Sequence, residues 1–177
     1  MPKNRPEPKP RAPLYTPEER VRRDSTKWTL VQGLLAPVQF LAFAVSVALV
    51  IHYLMTGTGY EAATVSILVK TFLLYTIMVT GAIWEKVVFG QYLLAPAFFW
   101  EDVFSFAVIA LHTAYLIALW TGALSPSGEM VLALAAYATY TINAAQFIWK
   151  LRMARLDAAR VDATRGEATE LDAAVQA

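Results

Sequence analysis

The sequence predicts an all-α polytopic membrane protein: four transmembrane helices preceded by a short amphipathic N-terminal helix. Three observations carry this. Of 177 residues, 57% are hydrophobic and only 16% charged, too apolar for a soluble domain of this size. The charge is also segregated. Of fifteen Lys and Arg, eight fall in residues 1–28 and five in 150–177, with only Lys70 and Lys86 between. Finally, the stretch between those basic ends divides into four apolar runs, each long enough for a hydrocarbon core of roughly 30 Å. The absence of cysteine rules out disulfides, Cys-ligated zinc and iron–sulfur clusters. No basic face on a folded module is visible, so no nucleic-acid partner is expected.

The elements follow in order. Residues 1–13, MPKNRPEPKPRAP, hold five of the nine prolines and four basic residues, which predicts a disordered or extended tail. With nearly thirty polar residues before the first apolar run, no cleavable signal peptide is expected. Residues 14–28 carry a helix start: Thr16 as cap, Pro17 at the first position, Glu18 and Glu19 in the first turn. Arg20, Arg22 and Arg23 then suit an interfacial helix on an anionic membrane surface. The first span is 29–55, with Pro37 expected to kink it and His52 near its outer end in a structural role. The second is 62–84, interrupted only by Lys70. The third, 103–120, is expected to begin a turn earlier, and the fourth is 130–149. Together with their connectors they form one transmembrane domain over 29–156. Residues 157–177 read as a flexible, Ala-rich acidic tail.

Connectors 56–61 and 121–129 contain no Lys or Arg. The positive-inside rule therefore places both termini and the 85–100 loop in the cytoplasm, in a multi-pass inner or intracytoplasmic membrane protein. Trp28, Trp84, Trp100 and Trp149 then fall at cytoplasmic span ends and Trp120 at the far side, as interfacial belts require.

Residues 80–102, TGAIWEKVVFGQYLLAPAFFWED, are the chemically richest segment. They put Glu85, Lys86, Glu101 and Asp102 beside Trp84 and Trp100 at one mouth of the bundle. Three carboxylates held close and partly buried repel, so at least one is expected to keep its proton near neutral pH, as general-acid work requires. One of Glu101 and Asp102 is expected to cap the third span and the other to act. A turn of about 100° per residue aligns Glu101, Ser105, Val108, His112 and Tyr115 on one stripe, which should face protein or a cavity rather than lipid. His112 either bonds a neighbouring helix or serves as axial ligand to the metal of a tetrapyrrole. Lys70 either snorkels outward or pairs with a substrate carboxylate. Gln32 with Gln39, and Asn143 with Gln146, either line a polar pocket or bridge helices. Residues 87–99, VVFGQYLLAPAFF, read as a re-entrant or interface-lying segment. Its Phe89, Tyr92, Phe98 and Phe99, with Trp100, could stack on a flat apolar ligand or form only an aromatic belt.

LYTPEER (14–20), WTLVQGLLAPVQF (28–40), YTIMVTGAIWEKVVFGQYLLAPAFFWEDV (75–103) and ALHTAYL (110–116) resemble the 3-vinyl bacteriochlorophyllide hydratase family of phototrophic bacteria, over about residues 14–156. The resemblance implies an integral membrane lyase of bacteriochlorophyll biosynthesis. It would hydrate the ring-A vinyl of chlorophyllide a, or a close relative, to a 1-hydroxyethyl group. No redox cofactor is implied, since the substrate carries its own magnesium. Substrate, water, lipid and neighbouring pathway enzymes would be the partners. Under that resemblance Glu101 is expected as acid and Glu85 as water-activating base, in either order, with Asp102 completing the cluster. His112 would hold the magnesium; Trp84, Trp100, Phe98 and Phe99 would stack on the ring; Lys86 or Lys70 would pair with the propionate. A non-enzymatic pigment-binding or assembly subunit is the main alternative. A small exporter fits less well, because its acid would lie deep in a span.

Overall fold

The computed structural model describes residues 14–175. They form five helices: α1 (Pro17–Ser25), α2 (Lys27–Thr56), α3 (Tyr60–Phe89), α4 (Phe99–Thr121) and α5 (Pro126–Val175). Four stretches are long and apolar enough to cross a membrane: Lys27–Thr56, Tyr60–Phe89, Phe99–Thr121 and Pro126–Leu156. The tail at 1–13 and the last two residues lie outside the described residues.

Local chemistry sets the element ends. Thr16 and Glu19 form a reciprocal capping box on α1, with Pro17 at its start. The Thr26 side chain accepts from Trp28 N and starts α2, which continues unbroken through Pro37. α3 stops at Gly90, whose φ of 85° is open to glycine at little cost. The second span is thus longer than the expected 62–84. Of the supposed re-entrant segment 87–99, the first three residues belong to α3 and Phe99 opens α4, leaving a nine-residue connector, 90–98. α5 carries on as helix to Val175 beyond the end expected for the membrane domain.

α2 packs along α3 and α4 along α5, and the two pairs meet mainly through α2 and α5, while α3 and α4 touch less. α1 folds back onto α3. The bundle therefore has a basic end, with α1, the α3–α4 connector and the α5 extension, and an opposite end with the α2–α3 and α4–α5 turns. Val50, Ala63, Ile67, Tyr115, Met130, Ala133 and Tyr137 fill the core toward the opposite end. Leu30, Leu34, Phe40, Phe72 and Ile117 point outward, as a lipid-facing surface demands.

Polar side chains stitch the helices. Gln32 Nε2 donates to Thr80 Oγ1 at 2.8 Å, so the α2 glutamines bridge helices. Asn143 Nδ2 donates to Ser105 Oγ at 2.8 Å. Ser46 Oγ bonds both Ser66 Oγ (2.7 Å) and Tyr137 OH (2.6 Å). Within a bilayer such bonds contribute about 0.6 kcal/mol on average and up to about 1.7 kcal/mol. Tyr137→Phe is therefore expected to lower stability by about 1 kcal/mol with little loss of assembly, as read by denaturation in mixed micelles.

Candidate functional site

The connector between α3 and α4 is held by carboxylates. Leu93 and Leu94 both adopt left-handed backbone, with φ of 61° and 58°, a conformation costing roughly 1–2 kcal/mol per non-glycine residue. The turn presents consecutive amides inward. Leu94 N donates to Asp102 Oδ2 at 2.6 Å and Ala95 N to Glu85 Oε2 at 3.2 Å. Glu85, near the end of α3, and Asp102, in the first turn of α4, thus grip one strained turn. Because those amides are consecutive, the two carboxyls are brought together at one turn. Glu101 lies beside them and forms an ion pair with Lys150 of α5, Nζ to Oε2 2.5 Å. All three acids are closed off: Glu85 is 5% exposed, Glu101 6% and Asp102 3%.

The expectation that Glu101 or Asp102 caps α4 is corrected. The N-cap is Phe98, with no side-chain cap bond. Asp102 instead accepts from the Leu94 amide and Glu101 from Lys150. The rest of the α4 stripe is as expected: Ser105, Val108, His112 and Tyr115 are all buried.

The aromatic residues divide into two groups. Trp84 and Phe98 are spent on the protein interior. Phe98 stacks on Phe147 (5.9 Å between centroids) and meets Trp84 edge-on (5.7 Å), while the Trp84 indole donates to Thr29 Oγ1 at 2.9 Å. Tyr15 and Phe89 complete this cluster. Burial there pushes the Tyr15 phenol above its usual range, and the Arg23 guanidinium over its ring pulls the other way. Phe99 and Trp100 instead face outward as an edge-to-face pair, Trp100 being 65% exposed.

The two lysines between the basic ends behave differently. Lys86 is exposed and bonds Gly90 O at 2.7 Å, closing its own helix end. Lys70 does not snorkel outward: it is 0% exposed, with its ammonium 3.7 Å from the Tyr140 ring centroid. It therefore sits with His112 in the bundle interior, not with the carboxylates. His112 Nδ1 donates to Val108 O at 2.8 Å, and its Nε2 has no partner. His112 lies eleven residues, about 16 Å of helix, inward of Glu101.

Two residues escaped sequence reasoning. Lys150 looks like the start of a basic tail, yet it donates to Ala97 O as well as Glu101 and lies over the Phe98 ring at 5.2 Å. The signal was its spacing: Asn143, Phe147 and Lys150 share one face of α5 and meet Ser105, Phe98 and Glu101 in turn. Arg22 donates to Val88 O at 2.7 Å, so α1 closes the end of α3.

Among the described residues, the three buried acids leave no open surface to a flat ligand. The nearest surroundings of the three carboxyls are the connector backbone and Lys150. A shallow apolar hollow of about 310 Å³, lined by Thr113, Leu116, Ile117, Trp120 and Thr121, lies toward the opposite end of α4 and contains none of the acids.

Comparison with known proteins adds a second line of information. The family model described as 2-vinyl bacteriochlorophyllide hydratase matches residues 15–153. A 2-vinyl bacteriochlorophyllide hydratase of Cereibacter sphaeroides is 76% identical over 149 residues, covering 84% of this chain and 92% of the relative. One of Rhodobacter capsulatus is 72% identical over 156 residues, covering 88% and 90%. No solved structure matches the chain.

Proposed function

The chain belongs to the 2-vinyl bacteriochlorophyllide hydratase family, and from that premise we propose how its own residues carry out the reaction. It is a membrane hydro-lyase of bacteriochlorophyll biosynthesis, acting on a pigment precursor and water. The target we assign is the ring-A vinyl of chlorophyllide a or a close relative. Water addition is redox-neutral, so the reaction calls for no redox cofactor, and the metal involved is the substrate's own magnesium.

One observation carries the assignment of roles: three buried carboxyls converge at one end of the bundle, two on consecutive amides of one turn and the third paired with a lysine. The Glu85–Asp102 pair gives its proton to the terminal vinyl carbon. A C–H bond forms, the π bond breaks, and the macrocycle delocalises the cation left on the inner carbon. Water adds there, forming the C–O bond. Glu101, paired with Lys150, takes the water's proton and returns it to the neighbouring pair. Among the two expected orders, the Lys150 contact favours Glu101 as base. Donor and acceptor must act in a site sheltered from bulk water, which the burial of all three acids supports.

The outward Phe99–Trp100 pair supplies an aromatic edge for the incoming ring, with Trp84 and Phe98 behind it. His112 is suited to the magnesium. Its Nδ1 bond to Val108 O sets the tautomer and leaves the Nε2 lone pair free. Basic termini on one side of four spans support a cytoplasmic-membrane location with both ends cytoplasmic.

The test is hydration in membranes containing the protein, with chlorophyllide a in D2O or in oxygen-18 water. The expected product gains one molecule of water, carries the label on its hydroxyl and one deuterium on its new methyl group, and absorbs to the blue. Pigment retained with its mass unchanged would instead mark a pigment-binding or assembly subunit.

A further inference from the structure

We propose that Lys70 is the anchor for the substrate's free propionate carboxylate, so that the macrocycle stands upright between α3 and α4 with its acid arm deep in the bundle. This rests on the hydratase reading. The first observation is a buried cation short of partners. An ammonium has three protons to donate. With the Gln39 amide turned so that its oxygen faces inward, that oxygen accepts from Lys70 Nζ at 3.3 Å and from Leu74 N at 3.2 Å. The Tyr140 ring covers another side at 3.7 Å. Among the described residues no carboxylate lies within 4.0 Å of this nitrogen. A charge this deep in a membrane bundle is ordinarily paired or functional.

The second observation is independent. Other buried polar atoms also lack partners, among them Oγ1 of Thr71, the next residue on α3, and His112 Nε2. Lys70 and Thr71 come from α3, Gln39 from α2, His112 from α4 and Tyr140 from α5. Groups from all four spans thus surround this part of the interior, and among the described residues no carboxylate pairs with its ammonium.

Register supplies the orientation. Lys70 precedes Glu85 by fifteen residues, about 22 Å along α3. On antiparallel α4, His112 stands about 16 Å from Glu101. Along the bundle axis the sequence is therefore ammonium, free imidazole nitrogen, carboxyl cluster. A chlorophyllide presents the same order: the propionate points down from ring D, the metal lies at an intermediate level, and the vinyl points up from ring A. Lys86 cannot complete that order, because it lies one residue from Glu85, at the vinyl end. The α3–α4 contact is the sparsest between sequence-adjacent spans. Tyr75 OH and Thr113 Oγ1, 2.7 Å apart, bridge it. Entry from the lipid between these helices is the route we assign.

The experiment compares chlorophyllide a with its propionate methyl ester, reading pigment retention and hydration kinetics in the same membranes. The wild type is expected to favour the free acid. Lys70→Met should raise Kd and KM for the acid by at least about tenfold, the scale of one hydrogen bond to a charged group, and leave those for the ester within about twofold. Lys70→Gln serves as the second variant should Lys70→Met fail to assemble. A wild type that binds acid and ester equally overturns the anchor, as does Lys70→Met weakening both alike, or Lys86→Met abolishing the preference instead. Selective binding of the acid with no hydration supports the anchor and overturns the hydratase reading.

Discussion

Glu85→Gln is expected to lower kcat for hydration by about 10²–10⁴-fold, the usual contribution of a positioned acid, with the bundle still assembled. The glutamine oxygen can accept from Ala95 N as the Glu85 carboxylate does, so the strained turn at Leu93–Leu94 keeps its support. What is lost is the proton that the Glu85–Asp102 pair is proposed to deliver. Asp102→Asn should cost a similar factor, and the double variant little more, because groups acting as one unit are not additive. Turnover at saturating chlorophyllide a, with elution of the detergent-solubilised protein as the assembly check, measures all three. Near-wild-type turnover in both single variants would place the proton donor elsewhere.

The second large effect concerns Lys150. Lys150→Met leaves Glu101 buried without its cation and frees Ala97 O. Breaking a buried pair from one side typically costs about 3–5 kcal/mol, whereas removing both partners is often near neutral. Glu101→Gln with Lys150→Met is therefore expected to recover most of the lost stability and yet remain at least about 10²-fold slow, since the base is gone. Lys150→Arg should keep the pair. Unfolding and turnover across this four-member cycle separate support of the connector from participation in the chemistry. A double variant that regains both stability and rate would reduce Glu101 to a structural partner.

The membrane fold was legible because lipid imposes so simple a rule: long apolar runs must be helices, and basic segments must lie outside them. The α4 stripe was legible for the same reason, and all five of its members are buried. The second span ran past its expected end because Glu85 and Lys86 look like an exit from the bilayer. Glu85 instead turns inward to the connector, and the helix continues to Gly90. The direction of Lys70 could not be read from a single charge in an apolar run; it depends on Gln39 and Tyr140, residues of two other helices. Lys150 was hidden by composition, since the change from apolar to basic falls at that position and suggests solvent. The division of the aromatics, with Phe98 inside and Phe99 outside, turns on the single residue at which α4 begins.

The most direct measurement is a structure of the full chain in lipid with chlorophyllide a bound. The ring's vinyl carbon is expected about 3–3.5 Å from the Glu85 or Asp102 carboxyl, a near-attack distance, with those oxygens released from the Leu94 and Ala95 amides or shared with them. Pigment seated on the hollow near Trp120, with the three acids still closed around the connector, would contradict it.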